Sequence, residues 1–407
     1  MDKLKKRQLI LIFAFVFVDL LGYSLILPLL PYYASVFGAT ITLVGLLGTV
    51  NGLGQLIAAP VIGRLSDRYG RRPLLIVAVS GTILGFLILG FAKSLWMIFL
   101  SRAVDGLLGG NTALARAYIT DITEPQDRAK SLGLIGAAFG LGFIIGPVMG
   151  GFLSLAGLNV PAFVAAALSI INLIGIIFWL PESLPPEDRQ QRRTNPHTAF
   201  NLSNLLDEFR RPCVGPLLLM TLFYGFSFTL FQSNFSLYAK EVLKLSVQNT
   251  GLVLTYVGLL SVIVQGFAIG KLTKKFKERT LITASIVALA ITLFIWGFTR
   301  QIWVLLIILA PIALGAGILN TLLSSQLTKA VYKEDVGGTL GLSSSIQTVA
   351  QIATPGMGGL ILSTLGPWAL GVTSSIFMLF AFLTAIGKVS RHSDLDNQSP
   401  CYQQAAN

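Results

Sequence analysis

Ionisable side chains are what this sequence has least of. Only 12% of its 407 residues are Asp, Glu, Lys or Arg, where soluble domains carry about a quarter. Residues 131–181, 212–239 and 336–387 include none at all. A chain folded around one core in water is thereby excluded. The two cysteines, Cys213 and Cys401, form neither a disulfide framework nor a metal-ligand spacing. The two histidines, His197 and His392, lie in polar segments, so proton chemistry inside the apolar regions must rest on carboxylates. No phosphate-binding glycine loop, zinc spacing or nucleophile–base constellation is evident, so no cofactor or metal is expected, and ATP-driven chemistry and an enzyme are both disfavoured. The net charge of +12 would suit a nucleic-acid partner, but the basic residues sit in short connectors and not on one folded face. No nucleic-acid partner is expected.

What the chain does have is apolar runs. Twelve can be counted, at 9–35, 43–63, 74–92, 95–118, 131–155, 161–180, 213–238, 249–270, 280–298, 302–328, 338–363 and 367–387. A helix needs about 20 apolar residues to cross a hydrocarbon core. Lipid offers no partner to a free backbone amide, so such spans must be helical, and they are too long and too uniformly apolar for barrel strands. The chain therefore reads as an all-α, multi-pass integral membrane protein whose partner is the bilayer. The first run, from Leu9 to Tyr33, is too long for a cleaved signal and holds Asp19, so it is expected to be retained.

Organisation follows from charge and repetition. The longest polar stretch, 181–212, divides the chain into an N-terminal six-helix bundle (1–180), a cytoplasmic linker (181–212) with a short surface helix around 202–211, a C-terminal six-helix bundle (213–387) and a cytoplasmic tail (388–407). With the N-terminus inside, 24 Lys and Arg fall in inner segments and four, Lys93, Lys240, Lys244 and Arg300, in outer ones. That bias places both termini in the cytoplasm, in a bacterial inner membrane or a plasma membrane. Gly133…Gly146-Pro147-Val148-Met149-Gly150-Gly151 reappears 208 positions later as Gly341…Thr354-Pro355-Gly356-Met357-Gly358-Gly359. A parallel repeat of six spans is one way in which transporters are built.

Four motifs carry a specific resemblance. The segment 63–72, Gly-Arg-Leu-Ser-Asp-Arg-Tyr-Gly-Arg-Arg, resembles the G-x-L-x-D-R-x-G-R-R connector of the major facilitator superfamily. Leu100-Ser101-Arg102-Ala103-Val104-Asp105-Gly106 is similar to that family's span-four motif with a membrane-embedded arginine. Gly142, Gly146, Pro147, Gly150 and Gly151 resemble the span-five motif of drug:proton antiporters. Gly109-Gly110-Asn111 with Ala117-Tyr118-Ile119-Thr120-Asp121 is similar to tetracycline-resistance-type efflux proteins. The resemblance implies a major facilitator fold of 12 transmembrane helices in two pseudo-symmetric six-helix bundles, acting as a monomer by alternating access. It also implies a cytoplasmic gate at Gly63, Asp67, Arg68, Gly70, Arg71, Arg72 and Asp121. In that gate Asp67 meets a helix dipole in the C-terminal half and Arg71 pairs with Asp121. In span five the glycines and Pro147 are expected to let the helix flex, although close packing and a kink would use the same residues.

The few charges within spans are where coupling is expected. Arg102 and Asp105 are three residues apart, on one helical face. At about 1.5 Å per residue, Asp105 lies roughly 15 Å below the outer edge and Asp19 roughly 16 Å above the inner one, so the two share a depth. Desolvation favours the neutral form of a carboxyl there, whereas a nearby guanidinium favours the anion. Asp19, with no cation on its own helix, is the expected proton carrier, and Arg102 with Asp105 its regulator. A static Arg102–Asp105 pair is the plainer reading.

A substrate cavity is expected to draw on Tyr23, Asn51, Gln55, Asn111, Tyr224, Gln232, Tyr256, Asn320, Gln347 and Gln351, several of which would instead bond between helices. These readings converge on proton-coupled export of an amphipathic organic compound. The alternative is a proton symporter or facilitator importing a small metabolite, which the uncharged C-terminal spans disfavour. A sensor or scaffold retaining the fold, or a membrane enzyme, would need long cytoplasmic domains or clustered His and acids, and neither is evident.

Overall fold

Lipid offers a backbone amide no partner, so helices that bond within themselves are the expected form, and the described residues are mostly helical. The computed structural model describes residues 3–124, 128–185, 214–331 and 336–387, and among the described residues there is no strand. The helices of the first half are α1 (Lys3–Ile26), α2 (Leu30–Val36), α3 (Ile41–Tyr69), α4 (Arg71–Gly90), α5 (Leu95–Leu108), α6 (Asn111–Ile122), α7 (Arg128–Leu153) and α8 (Val160–Trp179). Those of the second are α9 (Val214–Glu241), α10 (Val247–Ile263), α11 (Ile269–Lys275), α12 (Glu278–Phe298), α13 (Ile302–Lys329), α14 (Val336–Thr364) and α15 (Pro367–Gly387). Among the described residues nine helices are long and apolar enough to cross a membrane. The other three expected spans correspond to α5 with α6, to α10 continued through a π turn (Val264–Ala268) into α11, and to the Ser-, Thr- and Gly-rich α14. Side chains exposed on the outward faces are large and apolar, among them Ile57, Trp96, Phe178, Trp303 and Ile307. This is what lipid contact requires.

Three local expectations need correction. The first run is two helices, because the chain turns at Leu27–Leu29 around Pro28 before α2. Expected span four is also interrupted. Its backbone leaves the helix at Gly109 (φ −64°, ψ 158°) and re-enters after Gly110 (φ 155°, ψ 4°), a conformation that suits glycine. The apolar pattern runs unbroken across this point, which is why it reads as one span. Conversely, the 63–72 connector is mostly helix. α3 continues to Tyr69, and Gly70 alone (φ 108°, ψ 159°) separates it from α4. The linker beyond residue 185, its expected surface helix, the tail 388–407, both cysteines and both histidines lie outside the described residues.

The chain divides into two compact units, Met1–His197 with Ala239–Gly258, and Thr198–Tyr238 with Leu259–Asn407. In the first, α7 lies against α1 through a seam of small residues. A Cβ on Gly142 would stand 3.2 Å from the Leu20 carbonyl carbon, and one on Gly146 would stand 2.9 Å from the Leu25 nitrogen. Ser24 Oγ donates to Gly142 O across this seam at 2.8 Å. The short segment from the second half joins this unit for the same reason. Gly251 sits on the Pro147 carbonyl, Thr255 Oγ1 donates to Ile144 O at 2.8 Å, and the Tyr32 hydroxyl donates to Leu245 O at 2.8 Å. In the second unit Trp296 is fully buried, with its ring 4.9 Å from Phe231 and 4.7 Å from Tyr238. The Tyr238 hydroxyl caps that cluster on Trp296 O and Thr299 O at 2.8 and 2.7 Å. α12 and α15 meet at Gly297 and Gly371, where backbone touches backbone.

The α1–α7 seam makes a directional prediction. Gly146→Ala must push α1 away from α7 and is expected to cost about 1–3 kcal/mol, as overpacking does. Gly136→Ala on the same helix meets nothing within 4 Å and should be neutral, or stabilising by up to about 1 kcal/mol through helix propensity. Thermal midpoints of the two purified variants in detergent should rank in that order.

Candidate functional site

The site begins with two arginines placed awkwardly. Arg71 and Arg72 open α4, where the helix dipole disfavours a positive charge. The fold answers with Glu182, just past α8, whose Oε1 accepts the Arg71 N–H at 2.8 Å and whose Oε2 accepts the Arg72 N–H at 3.2 Å. The same carboxylate takes the N–H groups of Ser183 and Leu184 at 3.0 and 3.1 Å. The Arg72 side chain turns the other way, onto the last carbonyls of α8, those of Ile176 (3.3 Å) and Ile177. A cation is favoured at that helix end.

Arg71 is left to reach inward. Its Nε donates to Asp121 Oδ2 at 2.9 Å, one Nη lies 2.7 Å from Asp67 Oδ1, and the other donates to Ser66 Oγ. The expected Arg71–Asp121 pair is therefore present, and Asp67 joins it from the end of α3, across the Gly70 break. Arg71 and Asp121 have side chains 6% and 7% exposed, against 36% for Asp67. Ser183 Oγ also donates to Asp121, at 3.3 Å, and the Tyr118 hydroxyl donates to Pro181 O at 2.7 Å. Arg68 is exposed, with its guanidinium 5.3 Å from the Tyr69 ring centre. Gly63 has open space where a Cβ would be, so no crowding demands glycine there. A cleft of about 210 Å³ runs from this cluster along α6, between Ala59, Ile62 and Ser66 on α3 and Gly110, Ala113 and Ala117 on the facing segment.

Deeper in the same unit lies a second polar group. On α1, Asp19 Oδ1 accepts the Asn111 amide N–H at 2.6 Å, and that nitrogen also donates to Thr82 Oγ1 at 3.1 Å. On α5, Arg102 Nη1 is 3.5 Å from Asp105 Oδ2, which also accepts Asn51 Nδ2 at 3.0 Å. Asn51 Nδ2 donates as well to Arg102 O at 3.2 Å, and Gln55 Nε2 donates to Asn51 Oδ1 at 2.9 Å. Arg102 Nη2 donates to Ser101 Oγ at 3.1 Å, and that hydroxyl is anchored on Gly85 O at 2.8 Å. Asp105 acts electrostatically on Asp19, and both Asp105 and Arg102 act on Tyr23. Two buried polar atoms here have no hydrogen-bond partner among the described residues, Arg102 Nε and Asn111 Oδ1. Leaving such a group unsatisfied costs about 1–3 kcal/mol.

The remaining expected residues divide. Asn51, Gln55 and Asn111 are drawn into the charged cluster. Tyr224 is buried with its hydroxyl on Ala316 O at 3.1 Å, which makes it an interhelical bond. Gln232, Asn320 and Gln351 are exposed, and Tyr23, Tyr256 and Gln347 are half-buried. Gly142, Gly146 and Gly150 pack on α1, while Pro147 and Gly151 touch the α10 segment. Sequence reasoning missed Glu182 as a helix cap, together with Thr82, Ser101 and Ser183. A Pro-Glu-Ser directly after a span was the available sign for the first.

Comparison with known proteins bears on what this arrangement serves. The sequence model of the Major Facilitator Superfamily matches residues 12–268 and 217–396. The class C tetracycline resistance protein of Escherichia coli is 32% identical over 363 residues, covering 86% of this chain and 88% of that protein. Multidrug resistance protein 2 of Bacillus subtilis is 27% identical over 361 residues, covering 88% and 89%. Among solved structures, the human organic anion transporter MFSD10 (TETRAN) superposes with a TM-score of 0.70 at 22% identity, over 95% of this chain and 100% of that one.

The difference in burial between Asp121 and Asp67 predicts unequal consequences. Asp121→Asn removes a buried partner of a buried guanidinium and is expected to cost about 3 kcal/mol. Asp67→Asn, at the exposed end, should cost under about 1 kcal/mol. Thermal unfolding of both variants in detergent measures the ranking.

Proposed function

Because the chain belongs to the Major Facilitator Superfamily, and is therefore a multi-pass membrane transporter of small molecules and not an enzyme, we propose that it exports an amphipathic organic compound in exchange for protons. The relatives named for tetracycline and multidrug resistance support the direction and the cargo class. The observation that carries the proton half is the placement of Asp19. It is an acid that accepts a hydrogen bond from the Asn111 amide, within the field of Asp105, which pairs with Arg102, in a unit whose α7 and α8 hold no ionisable residue from 131 to 180.

In this reading Asp19 takes up and releases the proton, and Arg102 with Asp105 sets how readily it does so. The Arg71–Asp67–Asp121 cluster is the cytoplasmic gate, and the glycine seam of α7 lets that helix shift against α1 during alternating access. Substrate contacts would come from the half-buried or exposed polar residues Tyr23, Tyr256, Gln232, Asn320, Gln347 and Gln351. The uncharged spans at 212–239 and 336–387 fit a weakly polar cargo. The protein would work as a monomer of two six-helix bundles, 1–180 and 213–387, with both termini in the cytoplasm of a bacterial inner membrane or plasma membrane.

Asp19→Asn is expected to abolish proton-driven accumulation of drug in inside-out vesicles and to preserve substrate counterflow. Uphill transport at the parent rate in that variant would remove Asp19 from the mechanism.

A further inference from the structure

α6 links the two polar clusters, and four observations bear on what it does. Its first residue, Asn111, holds the Asp19 carboxylate, and near its other end Asp121 holds Arg71. Ten residues of helix at about 1.5 Å each put roughly 15 Å between them. Behind Asn111 the backbone is broken at Gly109–Gly110. Along its flank runs the cleft of about 210 Å³, faced by Gly110, Ala113 and Ala117. The helix thus has a pivot at one end, an acid-sensing contact beside the pivot, a gate contact at the far end and room to move.

Asn111 itself is arranged asymmetrically. Its amide nitrogen bonds Asp19 and Thr82, while its buried Oδ1 has no partner among the described residues. This arrangement suits an ionised Asp19, which can only accept. When the carboxylate takes a proton, its O–H becomes a donor and needs an acceptor. The unpartnered Oδ1 is that acceptor once the amide turns over, and turning it withdraws the N–H from Thr82.

We infer that Asn111 is the positioning residue that makes the cytoplasmic gate answer to Asp19, with α6 as a rigid connection pivoting at Gly109–Gly110 and displacing Asp121 relative to Arg71. The inference rests on the reading of Asp19 as the proton site. The ionisable group that acts on Asp19 is Asp105 on α5, itself paired with Arg102, and both of these act on Tyr23 of α1. α4 contributes Thr82, and α7 and α8 contribute no titratable side chain from 131 to 180. The step moves one proton from water to a carboxylate and exchanges hydrogen bonds, with no other chemistry.

The test uses the full chain with Cys213→Ser and Cys401→Ser, and a single cysteine introduced as Ala117→Cys in the cleft. In inside-out vesicles the rate of maleimide labelling, corrected for thiolate fraction with a model thiol, should differ by about fivefold between about pH 6 and about pH 8. Asn111→Leu and, independently, Gly110→Ala should bring that ratio to about one, whereas Asn111→Ser, which can donate and accept, should keep part of it. Asp19→Asn should also abolish the ratio. A parental ratio in Asn111→Leu, in Gly110→Ala or in Asp19→Asn would overturn the connection. Uphill transport by Asp19→Asn, scored separately, decides the proton reading. Loss of accumulation there alongside a parental ratio in Asn111→Leu would therefore sink the connection alone. If Asn111→Leu does not fold, as judged by size exclusion, the Gly110→Ala and Asn111→Ser ratios decide.

Discussion

Hydrocarbon offers no hydrogen-bond partner, and the structure is organised around supplying partners from within. Polar side chains in the spans close on carbonyls of neighbouring helices, as in Tyr33 on Leu89 O, Asn172 on Phe15 O, Ser227 on Ser374 O and Asn234 on Thr354 O. Each such bond spares an unsatisfied group and fixes which helices are neighbours. Where the helices need to approach more closely than side chains permit, glycine replaces bulk, as along α1 and α7. Four buried polar atoms have no hydrogen-bond partner among the described residues, Trp296 Nε1, Ser374 Oγ, Arg102 Nε and Asn111 Oδ1, and the last two lie beside the carboxylates of Asp105 and Asp19.

Charge obeys the same economy at the cytoplasmic edge. A helix that opens on two arginines is unfavourable until an anion sits on its first N–H groups. Glu182 is that anion. By taking the backbone of Arg71 and Arg72 it frees both guanidinium groups for other work. One closes the end of α8, and the other enters the buried cluster with Asp121 and Asp67. The corner and the buried Arg71 cluster are in this sense one structure, tied by Arg71 to Glu182, 111 positions away, and to Asp121, 50 positions away.

The break in α5–α6 connects these themes. A continuous helix would carry Arg102, Asp105, Asn111 and Asp121 on a single rod. Interrupted at Gly109–Gly110, it separates an Arg102–Asp105 half, fastened by Ser101 and Asn51, from an α6 half held by Asp19 at one end and Arg71 at the other. Asn111, read from sequence as a cavity residue, is the junction between the acid of α1 and the start of α6.

The sequence by itself determined that the chain is helical and membrane-spanning, and it set the expectations of twelve crossings, of which segments face the cytoplasm and of which acids lie at depth. Those properties follow from run length, charge bias and the rise per residue, all of which are local. It also anticipated Arg71–Asp121, through resemblance to a family that the comparisons then showed. Only the tertiary structure decided that Asp19 meets Asn111 across 92 positions and that Asp105 meets Asn51 across 54. The same is true of a helix cap supplied by what read as linker, and of the interruption at two glycines inside an unbroken apolar run. The reason is physical: hydrophobicity sets where a segment resides, whereas a hydrogen bond depends on angle and distance to a partner that only packing brings near.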